Sequence, residues 1–147
     1  MINGKDLYFV AVKVFLENEK GEFLIIKDRF GCWDIPGGRL RPEDFNVSLD
    51  DVVDRKMKEE LGSAVVYELG EPVVHMRHER NETLGEGETT PVRIFAVGYS
   101  ASYISGDIEM GGNHEELEWV DPKEFEPEKY FTGGWLKGVE EYIEEKK

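Results

Sequence analysis

Two adjacent acids, Glu59 and Glu60, lie near the end of a segment with helical spacing, one turn after the basic pair Arg55-Lys56. At about 3.6 residues per turn, Leu49, Val53, Met57, Leu61 and Ala64 fall along one side and form the core-facing stripe. Glu60 projects between Leu49 and Val53, inside that apolar sector, and Glu59 sits on its more polar flank. A carboxylate aimed near a core is paired, hydrogen-bonded or metal-bound, or it takes up a proton. Two readings stay open on geometry alone: Glu60 paired with Lys56 or Arg55 or seated at a wet rim, or Glu60 facing a ligand.

The elements that must position these acids are legible on either side. Phe23-Leu24-Ile25-Ile26 and Trp33-Asp34-Ile35 read as strand running into the tight turn Pro36-Gly37-Gly38. The glycines there can take positive φ or let another backbone or a phosphate approach. Ser48 is placed as the helix N-cap, Asp50 and Asp51 suit the positive end of the helix dipole, and Gly62 is placed to end the helix.

From Gly38 through Glu43 and Asp44 to Arg55-Lys56-Met57-Lys58-Glu59-Glu60-Leu61-Gly62, the chain resembles a Nudix box. The resemblance implies an α/β fold, an α/β/α sandwich around a central mixed sheet. It also implies a metal-dependent hydrolase cleaving a nucleoside diphosphate linked to another moiety. Residue by residue, Arg55 matches the arginine that braces helix and loop. Glu59 and Glu60 match the metal-binding, catalytic pair, and Gly38 the glycine that opens the motif and lends a carbonyl to the metal. Gly62 closes it. The implied cofactor is Mg2+, with Mn2+ as a substitute. Glu116, three residues before Trp119, matches a loop glutamate that serves as ligand or base, with Glu115 second.

Two departures stand out. Asp44 falls where the loop acid belongs, but ten residues rather than the family's seven separate it from Arg55, so three are inserted. Lys56 occupies the position of a family glutamate. A positive charge there attracts Glu60 and competes for a metal's place. The alternative is therefore a Nudix-fold nucleotide-binding or regulatory module without turnover. In either case Arg39 or Arg41 would clamp a phosphate, and Trp33 or Phe30 would stack on a base unless they are core or surface residues.

A chain of 147 residues with 39% hydrophobic content fits a single domain over residues 1–147. A net charge of −14 disfavours a nucleic-acid partner but not a small nucleotide, since a bound cation inverts the local sign. No run approaches a membrane span, the N-terminal residues lack signal-peptide organisation, and one cysteine, Cys32, suits a reducing compartment. The expected setting is cytoplasmic, with no membrane partner; a homodimer is compatible with it.

Leu7 to Leu16 reads as a central strand and Glu22 to Lys27 as its hairpin partner. Ala64 to Leu69 and Val73 to Arg80 read as separate strands, Asn81 to Thr90 as a mobile loop, and Val92 to Tyr103 as a long strand. His75 and His78 form a weak metal signal. A strand with Trp119-Val120 precedes a short helix begun by Asp121-Pro122, and Trp135, Val139, Tyr142 and Ile143 mark an amphipathic helix.

Overall fold

The apolar segment after Tyr8 becomes a strand whose two edges are shared among three partners. In the computed structural model, which describes residues 2–147, this strand is β1 (Phe9–Glu17). It is followed by β2 (Phe23–Asp28), β3 (Trp33–Asp34) and β4 (Gly37–Arg39). Then come α1 (Leu49–Leu61), the long strands β5 (Val66–Leu84) and β6 (Glu88–Ser105), β7 (His114–Val120) and α2 (Gly133–Glu145). β1 runs parallel to β6 from Phe9↔Ile94 to Glu17↔Ser102. Its other edge pairs with β2 only at Glu17↔Phe23, because β2 leaves to pair with β3 and β7. The vacated edge is taken by β4, through Ala11↔Arg39, Val12↔Gly38 and Lys13↔Gly37.

That crossing is possible because of glycine. Gly37 has φ +138°, and a Cβ on it would lie 2.0 Å from the Val12 carbonyl oxygen. Flanking bonds from Val14 N–H to Pro36 O and from Leu40 N–H to Val10 O, both 2.8 Å, complete the register.

Alternation along β1 splits the interior into two layers. Ala11 and Phe15 face α2, where Phe15 stacks on Tyr142 at 4.0 Å between centroids and both pack on Phe23. Val12, Val14 and Leu16 face α1, against Val52, Val53, Met57 and Leu61. Two helices on opposite faces of a mixed sheet make the α/β/α sandwich.

The buried arc of α1 differs from the expected stripe. Leu49 is 41% exposed and Ala64 lies beyond the helix, whereas Val52 and Lys56 are buried. The helix is rolled toward β4, so its inward side centres on Val53, Lys56 and Met57. The two strands expected between Ala64 and Arg80 are one, β5, with register shifts around Pro72. Residues expected as a mobile loop, Asn81 to Thr90, are mostly ladder, paired from Asn81↔Pro91 to Leu84↔Glu88. Backbone pairing needs no apolar side chains, so polarity there misled. The helix expected at Asp121 is a single turn, closed by Glu124 N–H and Phe125 N–H donating to Asp121 O.

Because Phe15 touches both Tyr142 and Phe23 in the α2 layer, Phe15→Ala is expected to cost about 3–5 kcal/mol of unfolding free energy. A urea titration followed by circular dichroism measures it.

Candidate active site

The crossing of β4 brings the glycine turn beneath the C-terminal end of α1. Gly37 N–H donates to Glu60 Oε1 at 2.7 Å, which ties the box helix to the strand. The main chain before β7 is fastened to the same helix end. Glu109 N–H donates to Leu61 O at 2.9 Å and Gly111 N–H to Glu60 O at 3.0 Å. These bonds use carbonyls that a helix otherwise leaves unpaired. Gly62, with φ +89°, turns the chain out at this point and leaves room for Glu109.

The floor of the site is built from residues of several strands. Lys13, 5% exposed, donates to both carboxylate oxygens of Asp34 at 3.0 and 3.1 Å and to Ile35 O at 3.2 Å. Its ammonium also lies 5.3 Å from the centre of the Trp135 ring. Burial pushes the Glu60 carboxyl above its ordinary pKa, with Asp34 adding to the rise. The Gly37 N–H, Lys13 and His114 oppose it. Among the described residues, His114 Nδ1 is buried without a hydrogen-bond partner. Neither Lys13 nor His114 was anticipated. Lys13 carried a signal, being the one charge between Phe9 and Leu16.

The rim is a chain of ion pairs. Asp44, 1% exposed, receives the Arg55 guanidinium through both carboxylate oxygens and accepts from Arg41 N–H at 2.7 Å. Arg55, followed by the Arg41 N–H, holds the Asp44 carboxyl well below the usual carboxylate range. Arg55 Nε stands 3.4 Å from Glu59 Oε1, outside hydrogen-bonding geometry, and Arg41 Nη2 reaches both Glu59 oxygens at 3.2 Å. Asp44 thus anchors the lengthened loop, whose turn spans Pro42–Asn46.

Lys56, 8% exposed, packs against Gly38: a Cβ on that glycine would lie 3.3 Å from its Nζ. Lys56 makes no pair with Glu60. Arg39 is drawn away from Arg41, pairing with Glu82 of β5 and lying 4.8 Å from the centre of the Phe9 ring. Trp33 packs edge-on to Tyr130 at 5.3 Å, beside the α2 layer. The Glu116 side chain is 60% exposed and 3.7 Å from Lys27, its cross-strand neighbour. Glu115 and Phe30 are exposed. The two histidines do not meet: His78 Nδ1 accepts from Gly134 N–H at 3.1 Å and stacks on Trp135, while His75 is exposed beside Phe95.

A NUDIX domain model matches residues 7–136. The chain belongs to the Nudix family. Among solved structures it is similar to a MutT protein from Methanosarcina mazei, at 26% identity and TM-score 0.71, covering 97% of this chain and 98% of that one. A structure of an ADP-ribose pyrophosphatase from Streptococcus suis aligns at 13% identity and TM-score 0.65 over 96% and 93% of the two chains. One described as a possible asymmetric diadenosine tetraphosphate hydrolase from Jonesia denitrificans aligns at 18% identity and TM-score 0.70, over 95% of each. The latter two likenesses concern the fold. A comparison with curated proteins found no match.

Nudix hydrolases in general use divalent metal ions. The expected Nudix metal set, Gly38, Glu59 and Glu60, does not fit such an ion as folded here. Glu59 turns to Arg41 and Glu60 to Gly37, and among the described residues no group of three or more His, Cys, Asp or Glu comes together. The ammonium of Lys56 against Gly38 would repel a divalent cation approaching that side.

The Asp44 anchor has a pH signature. Its folded pKa is depressed, so its stabilisation is present above the unfolded value of about 3.9 and is lost as pH falls through the folded one. Asp44→Asn should lower the urea midpoint at neutral pH, and its gap from the parent chain should narrow steadily below about pH 4. A constant gap across that range would contradict this assignment.

Proposed function

We propose that this protein is a pyrophosphohydrolase acting on a nucleoside diphosphate linked to a second moiety, in a cytoplasmic setting. Water adds to one phosphorus, the bridging P–O bond breaks, and each product leaves with one phosphate. The observation that carries the reading is Glu60, a carboxylate of raised proton affinity held at the glycine turn beside Lys56 and, along the rim, Arg41. We assign Glu60 to the proton of the attacking water, because a base works best when its pKa moves toward the working pH. Glu116, expected in that role, lies 3.7 Å from Lys27 on the β2–β7 ladder with its side chain 60% exposed. Arg41, held by Glu59, is positioned to exchange that carboxylate for a phosphate oxygen. Arg39 is a second clamp, released from Glu82. Trp33, edge-on to Tyr130, is assigned to packing rather than to a base.

A second reading, a nucleotide-binding module without turnover, is favoured by Lys56, an ammonium against Gly38 at a family carboxylate position. Product release from a panel of nucleoside diphosphate sugars, dinucleoside polyphosphates and nucleoside triphosphates, with Mg2+, Mn2+ or EDTA, separates the two.

Glu60→Gln should lower turnover by at least about 100-fold. The same variant should raise the melting temperature at pH 8. An acid whose folded pKa is raised loses stability as pH climbs above the unfolded value of about 4.3, and the amide oxygen still accepts from Gly37. Unchanged turnover in Glu60→Gln would remove Glu60 from the reaction.

A further inference from the structure

The first turn of α2 is capped from another element. Thr132, at its N-cap position, makes no side-chain bond to the helix, and the turn holds no acidic residue. A side-chain acceptor comes from β5 instead: His78 Nδ1 accepts from Gly134 N–H at 3.1 Å. The helix start lies directly on that strand, since a Cβ on Gly134 would stand 1.7 Å from Arg77 O. An imidazole that accepts at Nδ1 carries its proton on Nε2 and is neutral. It answers one of the amides that a helix leaves unpaired at this end.

The same imidazole fixes Trp135. The two rings stack at 4.6 Å between centroids and 19° between planes. The indole in turn covers Lys13, whose ammonium lies 5.3 Å from its centre and is bound to Asp34 and Ile35 O. Ile35 precedes the turn whose Gly37 N–H holds Glu60, so one run of contacts joins the start of α2 to the floor of the site.

Protonation undoes this arrangement. An N–H at Nδ1 would face the Gly134 N–H, and the positive ring would stand at the positive end of the helix dipole. Burial, with Arg80 on the same strand next and Lys13 on β1 adding, pushes the His78 pKa down, while Asp34 on β3 pulls it up. On the side of α2, Lys137 and Glu141 border the gap beside the ring, with His75, Arg77 and Glu79 of β5 and Arg93 of β6 opposite. An imidazole whose folded pKa is lowered stabilises the fold above the unfolded value of about 6.5. That stabilisation fades as the pH falls through the folded value.

We propose that His78 is an acid-sensitive latch: its neutral ring caps α2 from β5 and holds Trp135 over the Lys13–Asp34 floor, and its protonation releases both. The latch is independent of the hydrolase reading and acts whether or not a nucleotide is turned over.

The test is NMR of the 15N-labelled full chain from about pH 8 to pH 5. The Gly134 amide should shift with a midpoint shared with the His78 ring protons and lying below about 6.5. The Trp135 indole N–H should shift with it. His78→Asn puts a non-titrating Oδ1 in the place of Nδ1, and there both signals should stay fixed. His75, Glu79 and Glu141 remain in that variant, so a shift that persists comes from them. His78→Phe keeps a ring on Trp135 but offers no acceptor, so its Gly134 amide should exchange with solvent about fivefold faster at pH 8. Its melting temperature should trail the parent's at pH 8, and by less at pH 5. A Gly134 amide that does not titrate with His78, a midpoint above about 6.5, a Trp135 indole that stays fixed in the parent chain, or the same titration in His78→Asn overturns the latch.

Discussion

The hydrogen bond from Gly37 N–H to Glu60 ties the glycine strand to the end of the box helix, and the geometry of the site follows from that tie. It exists because β2 peels away from β1 after one paired position and leaves an edge for β4 to occupy. Only then does the glycine strand pass below the end of α1. The price of that geometry is a carboxylate in a poorly hydrated position, which shows in its raised proton affinity. Sites built to react commonly keep such a group at a cost to stability.

The charges around the turn divide into those that hold the loop and those that face the opening. Asp44 and Arg55 belong to the first group: they are mutually satisfied, and Asp44 is almost completely enclosed. The three residues inserted between Asp44 and Arg55 therefore leave the brace intact, because the turn at Pro42–Asn46 delivers Asp44 to the helix. Lys56 and Arg41 belong to the second group, and their difference is instructive. Arg41 is half exposed and has Glu59 to lean on, whereas Lys56 is enclosed beside a bare glycine backbone.

What could be read in the residues is what local spacing encodes. The capped helix, its paired acids, the hairpin into β2 and the amphipathic C-terminal helix follow from periodicity and from Ser48, Gly62 and Tyr142 in their places. The layering of helices on both faces followed from family resemblance. Features set by distant partners were not readable. β4 is three residues long and exists only because another strand vacates an edge. The Lys13–Asp34 pair and the burial of His114 Nδ1 depend on β1, β3 and β7 meeting, which no short window contains. The roll of α1 that exposes Leu49 and buries Lys56 is likewise a consequence of β4 packing, not of helical spacing.

The stitching of Glu109 and Gly111 onto the last carbonyls of α1 has one more effect. Helix ends usually fray, and a site at such an end would open and close with them. Here main-chain bonds hold the end shut, and one of them requires glycine, since a Cβ on Gly111 would lie 2.2 Å from Glu59 O. Whatever room an incoming ligand needs must then come from elsewhere: from Arg41 swinging off Glu59, or from the β5–β6 arm letting go of Arg39.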